Sequence, residues 1–217
     1  DWLTTTSTGE RINKVIAVMG ANGSGKTTLL KPLVFLDWFI SHSFSQAPEA
    51  AIPFTPHFAT TNEATEFSAT AIYKGQIWKY VLRCIPERVI HEALYVKRER
   101  FKYVFVRDWD DSTQTYRIKQ QDFGFAPVEA RKVRANASLI STAAQYGIPL
   151  AKDMASSGLR SNITALGRQP LSQDLVLNAA AHFSQLSEQR TIMARLLHDW
   201  DLGLSNVELE EISVAQP

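Results

Sequence analysis

Val15, Ile16, Ala17, Val18 and Met19 form an unbroken apolar run rich in β-branched residues. This is the pattern of a strand covered on both faces, and it predicts a central parallel strand. A glycine-rich turn follows at once. Beyond it, over residues 27–41, Leu29, Leu30, Leu33, Val34, Leu36 and Ile40 fall at helical spacing, so the local order is strand, loop, helix. Pro32 lies inside that helix, where it removes one backbone hydrogen bond and is expected to kink the axis.

The pattern changes after the helix. Residues 43–62 are rich in Pro, Ser, Ala and Thr without periodicity and read as a long surface loop. Residues 66–73 and 76–84 then alternate on either side of Lys74-Gly75, a two-residue turn, and predict a hairpin. Two more strands are expected at 89–96 and 101–106, separated by the charged turn Lys97-Arg98-Glu99-Arg100. A polar turn at 108–113 and a last strand at 114–119 complete an antiparallel meander.

After Gly124 the chain becomes helical in character. Pro127 suits the first turn of a helix running through Val133, Leu139 and Ala143 to a stop at Gly147, with Pro149 beyond. Residues 155–170 are polar and loop-like, and helices are expected at 172–186 and 188–200, the second ended by Gly203. The expected organisation is residues 1–45 for the strand and helix of the core, 46–125 for an antiparallel β lobe, and 126–217 for a helical region.

Composition narrows the partners. The 217 residues are enough for one sizeable core, and 23 Lys and Arg against 22 Asp and Glu predict no strong electrostatic partner while leaving nucleic-acid contact open. Cys84 is the single cysteine, so no internal disulfide can form; a reducing cytoplasm is the expected compartment and Cys84 is read as a strand residue. No apolar run approaches the ~20 residues a membrane span needs, and residues 1–10 lack a secretory pattern. A soluble cytoplasmic protein without a membrane partner is expected.

The turn after the apolar run carries the chemistry. Gly20-Ala21-Asn22-Gly23-Ser24-Gly25-Lys26-Thr27 satisfies the Walker A pattern at every fixed position, and it sits between an expected strand and an expected helix, the context that gives the motif its meaning. Gly20, Gly23 and Gly25 permit backbone shapes and a close phosphate approach that a Cβ would block. Lys26 supplies a point charge for the β- and γ-phosphates and is the candidate catalytic residue. The Thr27 hydroxyl is the candidate Mg²⁺ ligand, and Thr28 closes the binding set. The helix beginning near Gly25 adds its positive end. ATP with Mg²⁺ is therefore the expected ligand.

A second acidic site for hydrolysis is not evident. Residues 103–108, Tyr-Val-Phe-Val-Arg-Asp, offer Asp108 after an apolar run, but Arg107 interrupts it and a hairpin end with solvated acids is the plainer reading. Asp199 and Asp201 read as the polar end of a helix, and Ala155-Ser156-Ser157-Gly158-Leu159-Arg160 reads as a loop rather than an ABC signature. The histidines show no metal-like clustering. Trp38, Trp78, Trp109 and Trp200 read as packing residues. A nucleotide or small-metabolite kinase is the alternative reading, with Arg131, Lys132 and Arg134 as the basic cluster a phosphate lid would use, although their spacing also fits a solvated helix face.

The order of parts adds a resemblance. Residues 18–31, then Phe35-Leu36, Phe39-Ile40, Ile52-Pro53-Phe54, Glu66-Phe67, and the strands around Tyr80 and Glu92-Ala93-Leu94-Tyr95, resemble the ABC-like AAA ATPases of bacterial antiphage and abortive-infection systems. These are RloA-like proteins related to the OLD and Septu PtuA ATPases. Only the P-loop is a sharp motif within that span. The resemblance implies an α/β fold: a P-loop NTPase, the N-terminal part of an ABC-type ATPase head with an antiparallel β lobe and a helical region, the C-terminal half lying outside this chain. Residues 202–208 resemble the stretch that precedes that half. It further implies a homodimer that closes around ATP and regulates a nuclease or toprim-like effector. Pro32 departs from the family's unbroken first helix.

Overall fold

The computed structural model describes residues 3–5, 9, 11–61, 63–156, 159, 161–167 and 173–199. These form two units, Asp1–Arg168 and Gln169–Pro217. The first opens with a short antiparallel pair, β1 (Leu3–Thr5) on β2 (Arg11–Asn13), which the apolar periodicity did not signal. The expected central strand does not form. Residues 15–19 have no ladder partner, and Ile16 and Met19 are 79% and 87% exposed, so the run lacks the neighbours on both faces that a parallel strand requires.

Helix α1 (Lys26–His42) passes through Pro32 without interruption. Proline omits one hydrogen bond of the ladder, and the turns on either side carry the helix across it. One face is buried through Phe35, Leu36 and Phe39. Phe35 anchors an aromatic cluster, its ring centroid 4.6 Å from that of Phe67 and 5.7 Å from that of Phe54. In the first turns of the helix Leu29 and Leu33 are exposed.

The meander is a five-stranded antiparallel sheet in the order β3 (Thr65–Tyr73), β4 (Gln76–Ile85), β5 (Arg88–Lys97), β6 (Phe101–Asp110) and β7 (Thr115–Gln120). The first turn is as expected, with Lys74 and Gly75 both at positive φ, 49° and 74°, and Tyr73 opposite Gln76. The strand β6 runs on to Asp110 instead of turning at Asp108, because Asp108 is laddered to both His91 and Arg117. Tyr80, Leu82 and Cys84 on β4, Leu94 on β5 and Phe105 on β6 point into the core. Cys84 is a buried free thiol.

The single helix expected from Pro127 to Gly147 is two short ones, α2 (Pro127–Ala130) and α3 (Leu139–Gln145), and a further helix, α4 (Pro149–Ala155), follows beyond the stop. Ser138 explains the break. Its side chain accepts from the amides of Ile140 and Ser141, starting a new helix at Leu139. The stop falls where expected, with Gly147 at φ 83° just after α3, and Pro149 beyond it occupies the first turn of α4. The described part of the second unit is a pair of helices in contact with each other, α5 (Gln173–Gln185) and α6 (Ser187–Asp199), with a cavity lined by Phe183, Ile192 and Leu196. Trp200, Asp201, Gly203 and the 202–208 stretch lie outside the described residues.

Candidate functional site

The glycine-rich loop leads straight into α1. Gly23 and Gly25 adopt φ values of 81° and 85°, in the left-handed region that a side chain disfavours. At Gly20 an added Cβ would lie 2.7 Å from Ser24 Oγ. The Ser24 amide donates to Ala21 O at 3.2 Å, closing the turn, and Gly25 is the residue that starts the helix. No side chain caps that helix end, and its first turn carries no acidic residue. Among the described residues its amides and partial positive charge therefore have no capping side chain or first-turn acid competing for them, which is the arrangement an anionic phosphate needs.

Lys26 reaches back across the loop. Its Nζ donates to Gly20 O at 2.8 Å and Ala21 O at 2.7 Å. The ammonium is thus held against the loop itself. Thr27 and Thr28 follow in the exposed first turn of α1. Ala21, Asn22 and Ser24 are exposed between the glycines, so the whole loop from Gly20 to Thr28 is reachable from solvent. These residues fit a triphosphate with Mg²⁺: a loop cleared of Cβ atoms, a cation over it, and a hydroxyl on the helix that follows.

The far end of α1 is fastened to the helical region. Ser43 Oγ donates to Phe39 O at 2.6 Å and accepts from the Ser138 amide at 2.9 Å, and the Phe44 amide donates to Ser141 Oγ at 3.0 Å. Arg134 donates to Phe44 O and, at 2.8 Å, to Gln46 O. Asn136 Nδ2 donates to Ala47 O and Ala50 O. Two further bonds lie along the helix: the Leu159 amide donates to Asp37 Oδ1 at 2.9 Å, and Lys31 Nζ to Leu166 O at 3.2 Å. A helix held this way carries the loop at its start on a rigid support.

A second cluster was missed by sequence reasoning. Glu92 and Arg107 are both fully buried, with Arg107 Nη1 3.4 Å from Glu92 Oε2. Glu92 Oε1 accepts from Tyr80 Oη at 2.9 Å and Ser138 Oγ at 2.7 Å, and both carboxylate oxygens lie 3.0 Å from the Leu139 amide. Arg107 also donates to the carbonyls of Val133, Arg134 and Ala137 and stacks 3.8 Å above the Tyr116 ring. The carboxylate sits at the start of α3, so the sheet is tied to the helices by a charge at a helix N-terminus. The available signal was a charged residue at an inward-facing position in two neighbouring strands, since Glu92 and Arg107 pair directly. Burial, with Glu92 second, holds the Tyr80 phenol well above its ordinary range, and the same two causes push the Cys84 thiol up to about 12.

The remaining candidates are not brought to the loop by any contact among the described residues. Asp108 is ion-paired to His91 at 2.6 Å on the outward sheet face. Asp110 accepts from Ser112 Oγ and the Ser112 amide, which hold its carboxyl below the usual range. Asp199 is exposed at the end of α6, and Ser157, Gly158 and Arg160 lie outside the described residues. Of the basic trio, Lys132 pairs with Glu129 at 3.0 Å, but Arg134 is committed to loop carbonyls instead of a solvated face. An arginine so engaged does not serve as a phosphate lid. Trp38 and Trp78 pack against the core and Trp109 against Tyr116. No helix among the described residues is long and apolar enough to cross a membrane.

A family model described as "AAA domain, putative AbiEii toxin, Type IV TA system" matches residues 15–177, from the start of the apolar run into α5. No curated protein and no solved structure matches the chain.

Proposed function

The chain belongs to this AAA domain family and is a P-loop NTPase with an ATP-binding function, and from that premise we propose that it is part of an ABC-type ATPase head that dimerises around ATP and controls an effector in antiphage defence. The observation that carries the reading is the loop itself: two glycines at positive φ, a third whose added Cβ would meet Ser24 Oγ at 2.7 Å, and Lys26 spanning the turn at the start of an acid-free helix. In this proposal the Gly23 to Thr28 amides hold the phosphates, Lys26 moves from Gly20 O and Ala21 O to the β- and γ-phosphates, and Thr27 ligates Mg²⁺. The metal, when bound, neutralises charge on the phosphate oxygens.

The exposed apolar surface supports an ABC-type head. Val15, Ile16 and Met19 just before the loop, and Leu29 and Leu33 just after it on α1, are exposed apolar residues of the kind that mark an interface. In this reading the face is covered by the rest of the head, whose acidic strand and signature complete hydrolysis, and a second copy closes over the nucleotide. A nuclease or toprim-like protein is the proposed effector. The test is sedimentation of the chain with Mg²⁺ and a non-hydrolysable ATP analogue, alone and with a separately produced C-terminal half of a family member's head. Nucleotide-dependent doubling of mass that Lys26→Ala abolishes supports the reading, and an unchanged monomer in both mixtures sinks the dimer.

A further inference from the structure

The face of the sheet turned away from α1 and α3 carries a row of residues that neither the loop nor the core uses. Thr70, Lys79, Tyr95 and Tyr103 are cross-strand neighbours on β3, β4, β5 and β6, with Lys79 opposite Tyr95 and Tyr95 opposite Tyr103. Strand alternation turns Thr70, Lys79 and Tyr95 outward, opposite in parity to the core residues Tyr80 and Leu94, and the register shift between Leu94 and Tyr95 sets the half-buried Tyr103 opposite Tyr95 although it shares the parity of Phe105. One row nearer the β5–β6 turn, Lys97 faces Phe101, which is 42% exposed. One row away on the other side, Val106 faces Lys119 on β7. Three rings therefore stand among three lysines on one surface.

The turn adds charge. Residues 97–102 read Lys-Arg-Glu-Arg-Phe-Lys, all exposed, with Glu99 the single acid. Lys79, Lys97, Arg98, Arg100 and Lys102 make no ion pair among the described residues, so their charge is not neutralised locally. On the inward side of the same turn, Arg98 and Lys102 line a cleft of about 240 Å³ beside Trp78 and Asp122. The acids of the outward face stand further along the sheet and have partners of their own. Glu66 is opposite Arg83, and Asp108 pairs with His91.

We infer that this outward face at the β5–β6 turn binds single-stranded nucleic acid, with bases stacking on Tyr95, Tyr103 and Phe101 and phosphates meeting Lys79, Lys97, Arg100 and Lys119. Cations without partners supply sequence-independent attraction to a phosphodiester chain, and rings among them, Phe101 exposed and Tyr95 and Tyr103 half-buried, favour unpaired bases. A duplex offers no free base faces, and a purely acidic protein would leave the rings unused. This surface is separate from the P-loop, and the inference does not depend on the nucleotide reading.

The test is fluorescence anisotropy of the full chain with labelled 15-nucleotide (dT) and (U) strands and a DNA duplex of the same length, in about 50 mM salt, where phosphate contacts are weakly screened. The expected result is binding to one or both single strands at least about tenfold tighter than to the duplex, consistent with a stacking contribution. Paired Tyr95→Ala and Tyr103→Ala changes are expected to weaken binding about tenfold or more, whereas Tyr95→Phe with Tyr103→Phe retains it. Lys79→Gln with Lys97→Gln keeps the rings and lowers the slope of log affinity against log salt by about 1.4, roughly 0.7 for each phosphate no longer neutralised. Lys26→Ala leaves binding unchanged. If the alanine pair does not fold, the phenylalanine and glutamine pairs decide. Absence of binding, equal affinity for duplex, equal competition by polyglutamate, or a glutamine pair with an unchanged salt slope overturns the inference.

Discussion

Glu92 on β5 and Ser138 at the start of α3 meet through a 2.7 Å hydrogen bond with neither residue exposing any surface. The bond joins two parts of the chain with different local patterns. Tyr80, Arg107 and the Leu139 amide complete a carboxylate environment in which the buried charge has a cation and several donors. Such a cluster holds the helices to the sheet only while it is whole, since removing one partner strands the other.

Glu92→Gln and Arg107→Met are therefore each expected to destabilise the fold by about 3–5 kcal/mol, the range for breaking a buried pair. Ser138→Ala, which loses both the cap and the bond to Glu92, is expected to cost about 1–2 kcal/mol. Urea unfolding followed by far-UV circular dichroism checks the order. The two charge variants should fall well below the serine variant, and a double variant should cost less than the sum of its parts.

Stability should also fall on the alkaline side. Burial raises the Cys84 thiol from 9.0 to about 12, so its protonated form is favoured by folding. The sign follows directly: this contribution is full below pH 9, where both states are protonated, and is lost as pH rises toward 12, because the unfolded chain releases the proton first. Within that window the thiol alone contributes a fall of about 1.4 kcal/mol per pH unit. The raised Tyr80 and Tyr116 phenols act in the same direction at still higher pH. Thermal melting from pH 7 to 11 should show the decline, and Cys84→Ala should make it shallower.

The apolar face gives a third expectation. Met19 and Leu29 are 87% and 64% exposed, beyond what a lone surface residue needs to explain when Val15 and Ile16 lie beside them. Met19→Glu with Leu29→Glu should reduce self-association and the binding of a hydrophobic dye while leaving the melting temperature within about 2 °C, since little buried area changes. A large loss of stability would mean that the face is already covered within this chain.

The meander was legible because its strands alternate and its first turn carries glycine at the second position, so pattern and turn chemistry agree. The break within the helical stretch was not. Residues 127–147 carry helical spacing throughout, and what breaks them is Ser138 capping α3 and the Arg107 side chain collecting the carbonyls of Val133, Arg134 and Ala137. Those contacts come from distant strands, which local periodicity does not encode. The 15–19 run failed for a related reason, because a parallel strand exists only with its neighbours. The shape of the loop followed from its local sequence, since the glycines and Lys26 set it through their own backbone and nearest neighbours. Glu92 was passed over as one charge in an apolar strand.

The loop geometry makes its own prediction about glycine. Gly20→Ala brings a Cβ against Ser24 Oγ, and Gly25→Ala forces a side chain into φ 85° at the residue that starts α1. Each is expected to weaken nucleotide binding by about tenfold or more while costing the fold only about 1 kcal/mol, the usual scale of such backbone strain. Gly75→Ala, in a turn remote in sequence, should leave nucleotide affinity unchanged.

The most direct test of the central claim is calorimetric titration of ATP into the chain with Mg²⁺, beside Lys26→Ala, with phosphate release followed in the same samples. The account predicts saturable binding by the wild type, its loss in the variant, and no phosphate released by the chain alone. Equal binding by both proteins, or turnover by this chain without any other component, would contradict it.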